Sequence, residues 1–195
     1  MPINHFLPTH SSLDERHIPA KKTDFALGFD PGTSRVKALQ DIARSSGSHD
    51  SIPLSHSIDF DTASIPLQCA VEVKKEDGGH LEARTQLATW HAAAILHARH
   101  LLKEGGQKAE DFPQAAFQVG WLVIGHRWEL YFTSQIDSDQ LTCFGPIVST
   151  ELGTMDLVSL FRLIATQRTL LKWLTTEYWP TFDQLFRRAA AAGID

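Results

Sequence analysis

Long apolar runs are missing from this chain. None approaches the ~20 residues that a bilayer-spanning helix needs, so no membrane partner is expected. The N-terminus "MPINHFLPTHSSLDERH" lacks a basic stretch followed by an apolar core, which argues against a secretory signal. Cysteine is scarce. Cys69 and Cys143 are the two present, both inside apolar runs, with no zinc-ligand spacing around them. They read as buried free thiols of a protein in a reducing compartment. An intracellular protein is therefore expected, in the cytoplasm or the nucleus. Excess positive charge is also absent, the formal net charge being −5. That excludes a broad surface for coating nucleic acid or anionic lipid, while leaving room for a local basic groove. There is no P-loop, no G-x-G-x-x-G, no G-x-S-x-G and no internal repeat.

What is present describes an ordinary globular domain. The 195 residues are 43% apolar and 21% charged, enough for one domain with a sizeable core. Residues 1–22 carry three prolines and read as an irregular segment, leaving 23–195 as the domain. "TDFALGF" (Thr23–Phe29) reads as a strand closed by the turn signal Asp30-Pro31-Gly32. "RSSGSHDS" (Arg44–Ser51) reads as a polar loop and "IPLQCAVEVKK" (Ile65–Lys75) as a second strand. From His80 to about Lys103, Leu87, Trp90, Ala94, Ala98 and Leu101 recur every three or four residues, one face of a helix. Two further strands follow with a bend at Gly125-His126, then a strand over Leu141–Ser149. The C-terminal part reads as helix, starting at Thr154 or Asp156, with Leu157, Leu160, Ile164, Leu171 and Leu174 on one face and a break or kink at Pro180. This order predicts an α/β (α+β) fold, helices packed on a mixed sheet.

The chemistry-bearing stretch is "LQCAVEVKKEDGG" (Leu67–Gly79). Strand residues alternate sides, so Glu72 and Lys74 share a face. An acid, Asp24, sits on the earlier strand. Two carboxylates can hold Mg²⁺ or Mn²⁺, cations that prefer oxygen ligands. A lysine one pleat along can offset charge building on a phosphate. The trio is a constellation suited to metal-dependent phosphodiester hydrolysis.

Six segments in order resemble the fungal branch of the PD-(D/E)XK nuclease-like proteins, over about Lys22 to Phe186. They are "KKTDFALGFDP", "LSHSIDFD", "VEVKK", "EARTQLATWHAAAI", "VGWLVIGHRWELYF" and "LLKWLTTEYWPTF". The resemblance implies a restriction-endonuclease-like mixed central sheet flanked by helices, and hydrolase activity. It implies Asp24 and Glu72 as metal ligands, Val73 as a carbonyl ligand, Lys74 as the catalytic lysine and Gln86 as a residue near the site. Thr23 stands where the family's proline would be, and Asp59 is the alternative aspartate. An N-terminal helix lending a glutamate is not expected here, because the preceding prolines oppose it and Glu15 is the glutamate on offer.

Ten histidines are present. His91, His97 and His100 fall on the long helix, where they read as ordinary surface residues, with His97 and His100 spaced to share a metal. His126, in "GHRW", is a candidate catalytic or substrate-contacting residue, and His56 in the mid-loop is similar. The five tryptophans read as core. Two functions follow. One is a metal-dependent nuclease acting on nucleic acid. The other is the same fold turned to a small-molecule substrate, as an enzyme or binding protein of fungal secondary metabolism, with His56, Glu72, Lys74, His126 and Trp128 in its pocket. No pattern in the chain fixes an oligomeric state.

Overall fold

The computed structural model describes residues 23–45, 52–108, 112–113, 117–137, 140–147 and 151–192. The segment 1–22, the loop residues 46–51 and the end of the strand expected at Leu141–Ser149 lie wholly or partly outside them. In chain order the elements are β1 (Phe25–Gly28), α1 (Ser34–Ser45), α2 (Phe60–Ala63), β2 (Leu67–Lys74) and α3 (His80–Glu104). Then come β3 (Phe117–Ile124), β4 (Arg127–Asp137), β5 (Gln140–Phe144), α4 (Leu157–Trp173), a π-helical turn (Leu174–Tyr178) and α5 (Trp179–Ala192). The five strands form one sheet in the order β1-β2-β3-β4-β5. Only β2 and β3 run parallel, joined by α3; the other neighbours are antiparallel. No helix among the described residues is long and apolar enough to cross a membrane.

The sheet registers fix what lies together. On one face of the sheet, Lys74 is level with Ile124 and Arg127, Glu72 with Leu122 and Glu129, and Ala70 with Gly120 and Tyr131. α3 packs over this face through Ala83, Leu87, Trp90 and Ala94. It comes down so closely that a Cβ on Gly120 would lie 2.5 Å from His91 Nε2 and 2.6 Å from Leu87 Cδ1, so glycine is required there. The opposite face carries Cys69, Val71, Val119, Trp121 and Val123, covered by α1 and α5. Each fully buried leucine of these two layers contributes about 2 kcal/mol.

The predicted face of the long helix is the one that packs, with Leu87, Trp90, Ala94 and Leu101 all buried. Trp90, Trp121 and Trp179 are buried, and Trp128 and Trp173 pack partly buried against the core, as expected of them. Both cysteines are free, Cys69 buried and Cys143 half-buried.

Several expectations need correction. β1 is shorter than Thr23–Phe29 because the Thr23 hydroxyl donates to the carbonyls of Phe25 (3.1 Å) and Val71 (3.2 Å) and leaves the regular ladder. α1 takes Arg44 and Ser45 from the stretch read as loop; with only Val36 and Leu39 fully buried, its periodic signal is weak. The apolar face read on α4 divides, with Leu174 at its end buried and Leu160 half-buried. Ser159, Leu163 and Leu170 face inward, while Leu157, Phe161, Ile164 and Leu171 are exposed. The helix carries two apolar stripes, and periodicity alone does not say which one turns in. Asp156 caps α4, accepting from the Val158 and Ser159 N–H groups, and the Ser159 hydroxyl on its Oδ2, followed by those N–H bonds, holds its carboxyl below the usual range. Pro180 does not end the helix: the chain runs through the π turn into α5. A proline offers no N–H to the residue four before it, and a wider turn placed just ahead absorbs that loss.

Candidate metal and phosphodiester site

β2 delivers Glu72 and Lys74 to the α3 face at the strand's C-terminal end. The antiparallel β1–β2 register pairs Phe25 with Val71, and its continuation sets Asp24 opposite Glu72. Asp24 Oδ2 accepts the Val73 N–H at 2.7 Å, which ties the aspartate to the strand carrying the other two residues. Asp24 is exposed and Glu72 is 1% exposed, so the pair spans from solvent to the protein interior.

The two carboxylates are in different electrostatic states. Burial pushes the Glu72 carboxyl up to about 7, and the Asp24 charge raises it further; the Thr23 hydroxyl and the Lys74 ammonium only partly oppose this. Glu72 Oε1 is buried with no hydrogen-bond partner among the described residues. A buried polar oxygen without a partner costs about 1–3 kcal/mol or more, so the fold holds this group in a poor environment. Lys74 Nζ lies 3.9 Å from Glu82 Oε1 in the first turn of α3. Gln86 follows Glu82 by one helical turn on the same side, and its Oε1 is also buried without a partner.

A second cluster on the same face was not foreseen. Glu129 lies level with Glu72, with Leu122 between them. Its Oε2 bonds His80 Nε2 at 2.8 Å and accepts from the Tyr131 hydroxyl at 3.1 Å, and its Oε1 is ion-paired with Arg127 Nε at 2.9 Å. Burial and the Glu129 charge push the Tyr131 hydroxyl up to about 12, so it stays protonated and keeps donating. The alternation Arg127, Glu129, Tyr131 on β4 was visible in the sequence as three polar residues at strand spacing. His80, 49 residues away, carried no such signal.

Other candidates fall elsewhere. Asp59 is the cap of α2, its Oδ2 accepting the Thr62 N–H at 3.2 Å and the Thr62 hydroxyl at 3.0 Å. His126 is exposed at the β3–β4 turn, bonded to the Thr154 hydroxyl at 2.9 Å. Gly125 before it has φ +56°, as two-residue hairpin turns with glycine first require. His126 and Trp128 line an open cavity of about 380 Å³ with Glu129, Ile147, Leu152 and Met155. His56 is not in that lining; it is buried with its ring 4.1 Å from that of Trp90.

His91 and His97, expected at the surface, are buried. The reason is that α3 is covered by the sheet along one part and by α5 along another. His100 is half exposed and lies 3.8 Å from Glu104, so it does not join His97 at a metal. Among the described residues no group of three or more His, Cys, Asp or Glu side chains is placed to hold a metal ion. Lys21 and Lys22, which open the first of the six resembling segments, lie outside the described residues.

A model of the PD-(D/E)XK nuclease superfamily matches residues 2–179, most of the chain. The protein belongs to that superfamily, and its five-stranded mixed sheet flanked by helices is consistent with the restriction-endonuclease-like fold. No curated protein and no solved structure matches it. Nucleases of this superfamily generally use divalent metals.

Proposed function

We infer that the protein hydrolyses phosphodiester bonds in nucleic acid, with a divalent cation, Mg²⁺ or Mn²⁺, held by Asp24 and Glu72. The observation that carries this is Glu72: a buried carboxyl with an unpartnered oxygen, opposite Asp24 and one pleat from Lys74. The donor set suits the ion. Mg²⁺ is commonly bound through one or two carboxylates plus water, which explains why no three-residue cluster is needed. Superfamily likeness supports Val73 as the source of a carbonyl ligand, since Val73 lies between Glu72 and Lys74 on β2.

When bound, such a cation supplies Lewis acidity to water and to the phosphoryl oxygens. The chain's own residues do the rest. Asp24 and Glu72 orient the ion, and its charge draws Glu72 into the ionised form that burial alone opposes. Lys74 places an ammonium against the charge that develops on the phosphoryl group. Gln86, from the α3 face above, is set to hold water or a phosphate oxygen. Lys75, Arg84 and Arg127 are exposed around this end of the sheet and could contact phosphate, alongside the exposed acids Glu76, Asp77 and Glu82.

The test is calorimetric titration with Mg²⁺ and Mn²⁺ of the wild type and Glu72→Ala, followed by cleavage assays on single- and double-stranded substrates. Binding lost in the variant, with cleavage lost alongside it, supports the reading. A wild type that binds neither ion sinks it.

A second reading is favoured by the cavity at His126 and Trp128. In that reading the fold serves a small molecule, in fungal secondary metabolism as the sequence resemblance suggests, and the aromatic and aliphatic lining takes the substrate's apolar part. Saturable binding of an aromatic ligand that Trp128→Ala removes and Glu72→Ala leaves intact would favour it over the first.

A further inference from the structure

Glu129 and its partners have no role in the reading above, yet they occupy the same face of the sheet at the same level as Glu72. Strand spacing puts the backbones of Glu72 and Glu129 about 10 Å apart, with the fully buried Leu122 on the strand between them. The wall over Glu129 is His80, the first residue of α3, delivered there by the turn at Gly78-Gly79. Its side chain is 42% exposed, whereas that of Glu129 is 10% exposed. A buried carboxylate that grips one ring nitrogen fixes the tautomer and the orientation of the imidazole, and leaves Nδ1 for a substrate. Two more groups hold that carboxylate still: the Tyr131 hydroxyl on Oε2 and the Arg127 guanidinium on Oε1. Lys74 reaches Glu82 at 3.9 Å in the same first turn of α3 that begins with His80, so His80 and Lys74 both lie at the start of that helix.

We propose that His80, aimed by Glu129, is the proton donor to the leaving oxygen of a phosphodiester bound at the exposed end of the sheet beside Lys74. This rests on the hydrolytic reading of Asp24, Glu72 and Lys74. As an imidazolium, His80 donates Nε2–H to Glu129 and Nδ1–H to the substrate. Water adds to phosphorus from the Glu72 side and forms the new P–O bond. The P–O bond on the His80 side breaks, its electron pair stays on the leaving oxygen, and the Nδ1 proton moves to that oxygen. The proton lost by the attacking water goes to solvent, and solvent reprotonates His80. The sum is hydrolysis, with no oxidant, reductant or second substrate. His80 is the catalytic residue of this step; Glu129 is a positioning residue.

Leaving groups of different basicity test it. A nucleic-acid strand departs as an alkoxide that needs a proton, whereas bis(p-nitrophenyl) phosphate departs as a stable phenolate that does not. His80→Ala is expected to lose about 10²-fold or more in kcat/KM on DNA and less than about threefold on the aryl ester. Glu72→Ala is expected to lose both. Glu129→Gln, which leaves the imidazole unaimed, is expected to lose part of the activity on DNA and spare the aryl ester, with thermal melts checking that both variants fold. Equal losses on the two substrates, or none, overturn the proposal while the Glu72 result still upholds the hydrolytic site. A wild type inert on both substrates overturns the hydrolytic reading and this proposal with it.

Discussion

Glu72 and Glu129 lie on the same face of the sheet, at the same level, and both are buried, yet their surroundings are opposite. Glu129 is surrounded by donors: His80, Tyr131 and Arg127 satisfy both its oxygens. One buried oxygen of Glu72 has no hydrogen-bond partner among the described residues, and burial pushes its pKa up to about 7 even though the Thr23 hydroxyl lowers it in part. A fold selected for stability alone would not leave one buried carboxylate bare two strands from another that is fully paired. The difference separates a group kept ready for something outside the chain from a group already engaged inside it. The charge Glu72 lacks is what a divalent cation would bring, and the partners Glu129 has are what an oriented histidine needs.

The strongest way to break the comparison is Glu72→Gln. Activity on DNA should fall by about 10³-fold or more, because an amide is a poor cation ligand. Stability should move the other way. The folded pKa of Glu72 stands above its unfolded value of about 4.5, so the folded state favours the neutral acid. That preference is fully present below pH 4.5 and is lost as pH rises through 7. The metal-free variant should therefore melt higher than the metal-free wild type at pH 8, by roughly 10 °C, and no higher at pH 4.5. A melting temperature that falls at pH 8 would mean Glu72 has partners after all.

Glu129→Gln should reverse the sign. It keeps the shape but removes the charge that Arg127 and His80 share, and it leaves donors facing a weaker acceptor. A stability loss of about 2–3 kcal/mol is expected in denaturant titrations at pH 7. No loss would make Glu129 as dispensable to the fold as Glu72 and erase the contrast.

Much of this site was legible in the sequence, for a definite reason. Period-two alternation puts Glu72 and Lys74 on one face whatever the rest of the chain does. Register, in contrast, is a property of two strands. Nothing within "VEVKK" says that Asp24 rather than Asp59 would lie opposite Glu72; the β1–β2 pairing decides that geometry, and the α2 cap engages Asp59. Likewise Arg127, Glu129 and Tyr131 alternate visibly, but the reach of His80 to Glu129 depends on how α3 crosses the sheet. The fold was read from the order of elements, with α1 and α2 missed because one buries only Val36 and Leu39 fully and the other is four residues long. On α4 the apolar spacing alone did not say which residues turn inward, because both of its faces are apolar.

The buried histidines under α3 give a smaller effect that sharpens the contrast with His80. Burial pushes His91 and His97 down to about 3 and holds His56 well below its usual value, so all three are neutral in the fold. Their unfolded values are near 6.5. The stability they contribute is complete above pH 6.5 and is lost as pH falls toward 3, because the unfolded chain binds protons that the folded one refuses. Each such histidine should remove about 2 kcal/mol between pH 7 and pH 5. Denaturant midpoints at the two pH values measure this, and a flat profile would require charged partners around the rings.

The smallest expected change separates the two functional readings. His126 is exposed, and its recorded hydrogen bond is to the Thr154 hydroxyl, on a turn whose shape Gly125 sets. His126→Ala should leave stability within about 0.5 kcal/mol. If the Asp24–Glu72–Lys74 end of the sheet does the chemistry, cleavage of DNA by this variant should stay within about twofold of wild type, since His126 stands off the face that carries Glu72. If the cavity beside Trp128 is the working site, the same substitution should cut turnover of its small substrate by about 10²-fold and leave metal binding untouched. A variant that loses DNA cleavage and keeps its fold would join the two regions into one site, with substrate running from the carboxylates across Glu129 into the cavity.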